Sequence, residues 1–521
     1  MKAHLHIITS SHHHITSSPH HLINLTVLRS YALAVFYLFC LLFSLPVSAQ
    51  KGKPKEPVQK MVFNIKDCTS QKMLLAIQFR DKFLLRDSAF NAGNGVFIFE
   101  KTGKYDEGIY TLVSDSKKPM LNFIMNGSQN FTYNLDTTGN IMNFSVVGSP
   151  ENAEMLRFQQ KNIEAQRRMM GWNTKRKEFE DKGIKDSVEY YMELMKNLNA
   201  EMEKFIPEFI AKNPTFLFSK LQQSYQEIRV PDPPVNADGT IDSTFQAIYY
   251  RTHYWDNFDL ADRRFLHLPS FEPRLNNYLK KILWLQSADT LNKYIDLMLD
   301  KAYPDSLMYR FFVEYITTEF ENANVIGYDA VFVHFAKNNP IAGKCKWMDE
   351  DFVKKYISKI EPMEPMLIGK KTIEMVLPDT SLKKWYSSYE MPKKYRILWF
   401  YDHTCPTCKK EAKEMKIVYD SLENIGQRNF DVYAVIRTDD FAGWKKYIIE
   451  NGYTWINVGG NSGNVDWTKE FHVTSNPKLY IINRNKEIIL NRDIPKHLIP
   501  QFLRDYERLE AEKERTKNKK Q

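Results

Sequence analysis

Cys405 and Cys408 carry the clearest chemistry in this sequence, standing in the run Tyr395-Arg-Ile-Leu-Trp-Phe-Tyr-Asp-His-Thr-Cys405-Pro-Thr-Cys408-Lys-Lys-Glu411. The apolar residues Ile397 to Tyr401 predict a buried parallel strand, and Lys409 to Tyr419 predict a helix with Ala412, Met415, Val418 and Tyr419 on one side. Two thiols therefore fall where a strand turns into a helix. Unpaired N–H groups at a helix start stabilise a thiolate, so Cys405 is expected to be acidified and Cys408, one turn inside, to be its resolving partner. Such a pair opens and closes as a disulfide.

Zinc sites use the same Cys-x-x-Cys spacing but need two further ligands, and the sequence offers only the distant Cys68 and Cys345. His253, His267 and His334 are scattered without ligand spacing. No metal and no cofactor are expected. An inert structural disulfide is the remaining reading of the pair.

The chain of 521 residues exceeds a single core and predicts two to four domains, with the charged (26%) and hydrophobic (43%) content of a soluble globular protein. Arg29, the apolar run Tyr31 to Leu45 and Pro46-Val-Ser-Ala49-Gln50 predict a signal peptide over residues 1–49, cleaved after Ala49. A genuine long extension and a true start near Val27 or Leu28 both remain open. Cys40 sits in the apolar run without a lipobox, so no lipidation is expected. The run is shorter than the roughly 20 residues of a membrane span and no later stretch reaches that length, so no transmembrane span is expected after cleavage. Four cysteines then remain, too few for a disulfide scaffold, while an oxidising compartment lets a Cys-x-x-Cys pair persist as a disulfide. The net charge of +9 falls to +7 without Lys2 and Arg29, and much of it lies in the tail Lys513 to Gln521. No basic stripe is interleaved with aromatics, which argues against a nucleic-acid partner.

Three regions are expected to surround the thiols. Residues 50–150 hold strand-length apolar runs at Met61–Ile65, Met73–Phe79, Gly95–Phe99, Gly108–Val113, Leu121–Met125, Asn130–Leu135 and Met142–Val147, spaced by turn residues, which predicts an all-β sandwich. Residues 151–360 switch to helical periodicity, with Ser149 as cap and Pro150 at the first helical position. Long helices are expected at Glu151–Glu180 and Lys185–Ala211, and Tyr249, Tyr250, Tyr254, Trp255, Phe258 and Phe265 are read as packing residues in this all-α region. Residues 361–521 predict an α/β region of order β-α-β-α-β-β-α, a thioredoxin-like sheet with a basic tail.

Ile368-Gly-Lys-Lys, Leu377-Pro-Asp, Leu398-Trp-Phe before Cys405-Pro-Thr-Cys408-Lys-Lys-Glu411, and Asn476-Pro477 before a hairpin together resemble the exported TlpA/ResA-like branch of the thioredoxin superfamily. The likeness spans Leu367 to Asp505. It implies that Cys405 is the nucleophile, that Cys408 resolves the mixed disulfide, and that Glu411 tunes both thiols. It also implies that Pro477 is the cis-proline beside the disulfide and that Asn476 offers backbone groups to an extended substrate segment. One helical turn lets Glu411 meet Cys408, although a surface glutamate has the same spacing. Two positions depart from the family: Thr404 stands where Trp is usual, and Trp399 replaces the buried aspartate of ordinary thioredoxins. A proton relay must then use Glu411, Asp402 or His403. The regions in front resemble accessory domains of some bacterial envelope proteins.

The expected function is that of a periplasmic or cell-envelope thiol–disulfide oxidoreductase. Its partners would be cysteine-containing envelope proteins and a membrane thiol reductase or oxidant as electron partner, with the redox direction open. One alternative is an envelope binding module whose thioredoxin domain is a scaffold. Another is a thiol peroxidase, since Cys405-Pro-Thr is similar to peroxiredoxins; those need Thr and Pro where this chain has Asp402 and Ile397.

Overall fold

The computed structural model describes residues 56–79, 82–235, 238–284, 286–390, 392–460 and 463–520; the signal-peptide reading and Cys40 lie outside them. Eight strands come first: β1 (Val58–Lys66), β2 (Lys72–Phe79), β3 (Lys82–Phe90), β4 (Val96–Thr102), β5 (Gly108–Ser114), β6 (Pro119–Met125), β7 (Phe131–Asp136) and β8 (Ser145–Val147). They form two four-stranded sheets, ordered β4-β1-β7-β8 and β3-β2-β5-β6. Alternation along each strand sends Phe63, Ile65 and Tyr133 of one sheet, and Leu75, Tyr110 and Phe123 of the other, into one shared core. A β-sandwich is thus present where the period-two pattern places it.

Two local expectations fail. β3 was not foreseen, because Phe83, Leu85 and Phe90 are exposed and the strand lacks an apolar inward row. Met142–Val147 is a 3-10 turn followed by a three-residue strand: Asn140 caps the turn, and Asn143 donates to Asp136 at 2.7 Å, so the chain bends before it can pair.

Helices follow: α1 (Pro150–Asp181), α2 (Lys185–Lys212), α3 (Leu217–Ser224), α4 (Phe245–His253), α5 (Phe271–Asn277), α6 (Ala288–Ala302), α7 (Ser306–Phe320), α8 (Tyr328–Asn338) and α9 (Glu350–Ile360). The Ser149 side chain accepts the Asn152 N–H and Pro150 opens α1, which leaves one fewer unpaired donor at that end. Tyr254, Trp255, Phe258 and Phe265 are core residues, whereas Tyr249 and Tyr250 are half-buried. The sandwich and the helices are joined by polar contacts, the Asn152 side chain bonding both the N–H and the carbonyl of Ile124 at 2.8 Å.

The last region contains β9 (Val376–Pro378), β10 (Trp385–Ser387), β11 (Tyr395–Phe400), α10 (Pro406–Asn424), β12 (Phe430–Ile436), α11 (Phe441–Asn451), β13 (Ile456–Gly459), α12 (Trp467–Glu470), β14 (Lys478–Ile482), β15 (Ile488–Leu490) and α13 (Ile499–Lys520). Five strands form a mixed sheet, β13-β12-β11-β14-β15, with β11 central, parallel to β12 and antiparallel to β14. Tyr395, Ile397 and Trp399 point to a core shared with α10, α11 and α13, while Leu398 and Phe400 point to Met375, Trp467 and Phe471 on the other face. Cover on both faces is why Ile397 to Tyr401 reads as an unbroken apolar run. Among the described residues no helix is long and apolar enough to cross a membrane.

Candidate functional site

The turn after β11 is built by local polar bonds. Asp402 Oδ1 accepts from the Thr404 N–H and from its hydroxyl, both at 2.7 Å, and the Cys405 N–H reaches the Asp402 carbonyl at 3.3 Å. These bonds set Cys405 as the N-cap of α10, with Pro406 at a position that needs no donor. Cys408, Ala412, Met415 and Tyr419 are the buried face of the helix and anchor it to the sheet. Cys405 is partly exposed, Cys408 is fully buried, and both are free thiols.

Their environments pull the two thiols apart. The Cys408 N–H, the Cys408 thiol and the Thr407 N–H bond to Cys405 and hold it below the ordinary thiol range, against partial burial and the Asp402 charge. Burial pushes Cys408 up to about 12, with Cys405 and Glu411 adding to the rise.

Glu411 lies one turn beyond Cys408. Burial raises its carboxyl, Lys496 opposes that rise, and Asp493 reinforces it. The Lys496 ammonium is 2.9 Å from Glu411 Oε2, an ion pair without the alignment of a hydrogen bond. It also contacts Asp493 and donates to the Ile494 carbonyl at 3.3 Å, and it is 1% exposed. Sequence reasoning missed Lys496, because no spacing rule connects it to a glutamate so far back in the chain. Thr407, Lys410, Glu411, Asp493, Pro495 and Lys496 line a cleft of about 360 Å³ beside the thiols' helix.

The Asn476–Pro477 peptide is cis. Lys478, which follows it, pairs with Phe400, the last residue of β11, so Pro477 stands at the sheet end from which the Cys405 turn departs. Asn476 is exposed there. Among the three relay candidates, Glu411 is the carboxylate acting on Cys408 and Asp402 the one acting on Cys405. His403 is buried, its ring 3.5 Å from Asp440 and 3.9 Å from Asp402. Trp399 stacks on Tyr401, their ring centroids 4.6 Å apart. Cys68 and Cys345 are free and unpaired with each other. Among the described residues no group of three or more His, Cys, Asp or Glu is placed to hold a metal ion.

Residues 199–351 match the model of a domain of unknown function, DUF5106. No curated protein matches the chain. Among solved structures, a thioredoxin-like protein from Bacteroides caccae is 18% identical, with a TM-score of 0.41, covering 53% of this chain and 99% of its own. A domain of possible thiol-disulfide isomerase from Cytophaga hutchinsonii is 28% identical, with a TM-score of 0.25, covering 28% and 96%. A thiol-disulfide oxidoreductase from Bacteroides fragilis is 18% identical, with a TM-score of 0.23, covering 26% and 99%.

Proposed function

We propose that this chain is an exported, TlpA/ResA-like thiol–disulfide oxidoreductase of the cell envelope that reduces or exchanges disulfides in cysteine-containing envelope proteins. The observation that carries the reading is the unequal pair: a partly exposed Cys405 held below the usual thiol range, beside a buried Cys408 held far above it. A thiolate attacks a disulfide and a protonated thiol does not, so the order of events follows. The Cys405 thiolate attacks one sulfur of a substrate disulfide, and the bonding pair leaves on the other sulfur. Cys408 then loses its proton and attacks Cys405 in the mixed disulfide, which expels the second substrate sulfur. Two electrons pass from the dithiol to the substrate, and Cys405–Cys408 becomes a disulfide. An electron partner in the envelope, a membrane thiol reductase, restores the dithiol; with an oxidant in its place the same chemistry runs backward. Asn476 and Pro477, at the same sheet end, would receive the extended substrate segment.

The test is insulin reduction by three forms of the protein. Cys405→Ser is expected to lose turnover, and Cys408→Ser to accumulate mixed disulfides. Normal turnover by Cys405→Ser would sink the assignment. Failure of Cys408→Ser to trap any cysteine protein, with stable capture of an envelope component by the β and helical regions, would favour a binding module.

A further inference from the structure

We infer that Lys496 is a positioning residue that keeps Glu411 ionised as the proton acceptor for Cys408, an inference that rests on the oxidoreductase reading above. Its side chain is 1% exposed and approaches two carboxylates, Glu411 at 2.9 Å and Asp493 in closer contact. A buried ammonium is tolerated only when paired, and removing Lys496 would leave two neighbouring carboxylates without their cation. The charged and titratable groups around Glu411 are Cys408, Lys410 and Glu414 on α10, and Asp493, Lys496 and His497 on the facing segment. Lys410 is 78% exposed and extends toward Glu414 at 4.0 Å. Lys496 is therefore the cation in contact with Glu411.

The pairing matters at the second chemical step. When Cys405 is joined to a substrate sulfur, the Cys408 S–H must give up its proton before its electron pair can attack Cys405. Glu411 takes that proton only if its carboxyl is empty. Burial and the Asp493 charge both favour a filled carboxyl, and Lys496 opposes them. Once Cys408 has bonded to Cys405 and the substrate thiolate has left, Glu411 returns the proton to water through the cleft that it lines.

The test follows glutathione release from the mixed disulfide at Cys405, formed by mixing the reduced protein with oxidised glutathione, over about pH 5 to 9. A positioned acid–base group contributes about 10² to 10⁴ in rate. Lys496→Met is expected to slow resolution about 10-fold at neutral pH and to shift its rise toward higher pH. Lys496→Arg is expected to keep the wild-type profile. Asp493→Asn, which leaves Lys496 to Glu411 alone, is expected to shift the rise toward lower pH and decides the matter should Lys496→Met not fold. In a Glu411→Gln background, Lys496→Met should add nothing. An unchanged profile in Lys496→Met, or a loss equal at every pH and undiminished in the Glu411→Gln background, overturns the inference. Wild-type protein that takes up no glutathione, or never releases it, overturns the oxidoreductase reading itself.

Discussion

Asn491 Nδ2 donates to Asp329 Oδ2 at 2.5 Å across 162 residues of chain, and also to the Met366 carbonyl at 3.1 Å. Asp329 belongs to α8 and Asn491 directly follows β15, so this pair latches the helices to the sheet that carries the dithiol. The Asp329 charge also reaches Lys478, the residue after Pro477. Both latch residues are buried.

Asn491→Ala would strip the buried Asp329 carboxylate of this donor. A buried charged group left short of a partner costs on the order of 2–4 kcal/mol, so thermal unfolding of the variant is expected to begin measurably earlier. Unchanged unfolding would mean that the latch contributes nothing.

The two thiols should titrate in separate ranges. In the reduced protein Cys405 is expected to react with iodoacetamide with a midpoint below the ordinary thiol value of 9.0. Cys408, whose proton is held up to about 12, should stay unmodified throughout that range. Peptide mapping after short exposures at each pH distinguishes them. Equal labelling of both would contradict the assigned order of attack.

The outline of this site was legible because it is local. Strand, turn, Cys405, Cys408 and helix follow one another, and the apolar run of β11 and the spacing of Ala412, Met415 and Tyr419 each obey one period. The long helices α1 and α2 also end within one residue of their expected bounds, since Ser149 and Pro150 mark where the first begins. β3 was invisible because an exposed edge needs no apolar row. Lys496 was invisible because its partner is chosen by how the segment after β15 folds back on α10, which no periodicity encodes.

Cys345 offers a stability test independent of redox chemistry. Burial pushes its thiol from 9.0 up to about 11, so the folded state holds this proton more tightly than the unfolded chain does. The resulting stabilisation is fully present below pH 9 and is lost as pH rises through 11, on the order of 2–3 kcal/mol in all. Cys345→Ala should therefore lose less stability than wild type between those values. Parallel curves from denaturant unfolding would refute it.

Tyr401 and Trp444 form a hydrogen bond in the core beneath the Cys405 turn, Trp444 Nε1 donating to the Tyr401 hydroxyl at 2.8 Å. Both side chains are buried, and the Tyr401 hydroxyl also donates to Asn457 Oδ1 at 3.4 Å. Tyr401→Phe would leave the indole N–H buried without an acceptor, and Trp444→Phe would leave the hydroxyl without its donor. Each single change is expected to cost about 1–3 kcal/mol, because an unpaired buried polar group bears its full desolvation penalty. With both changes the indole N–H and the hydroxyl are removed together, so the double variant should lose less than the two singles together, by about 1 kcal/mol. A double-mutant cycle from chemical unfolding measures that difference. Strict additivity would show that the bond stabilises nothing.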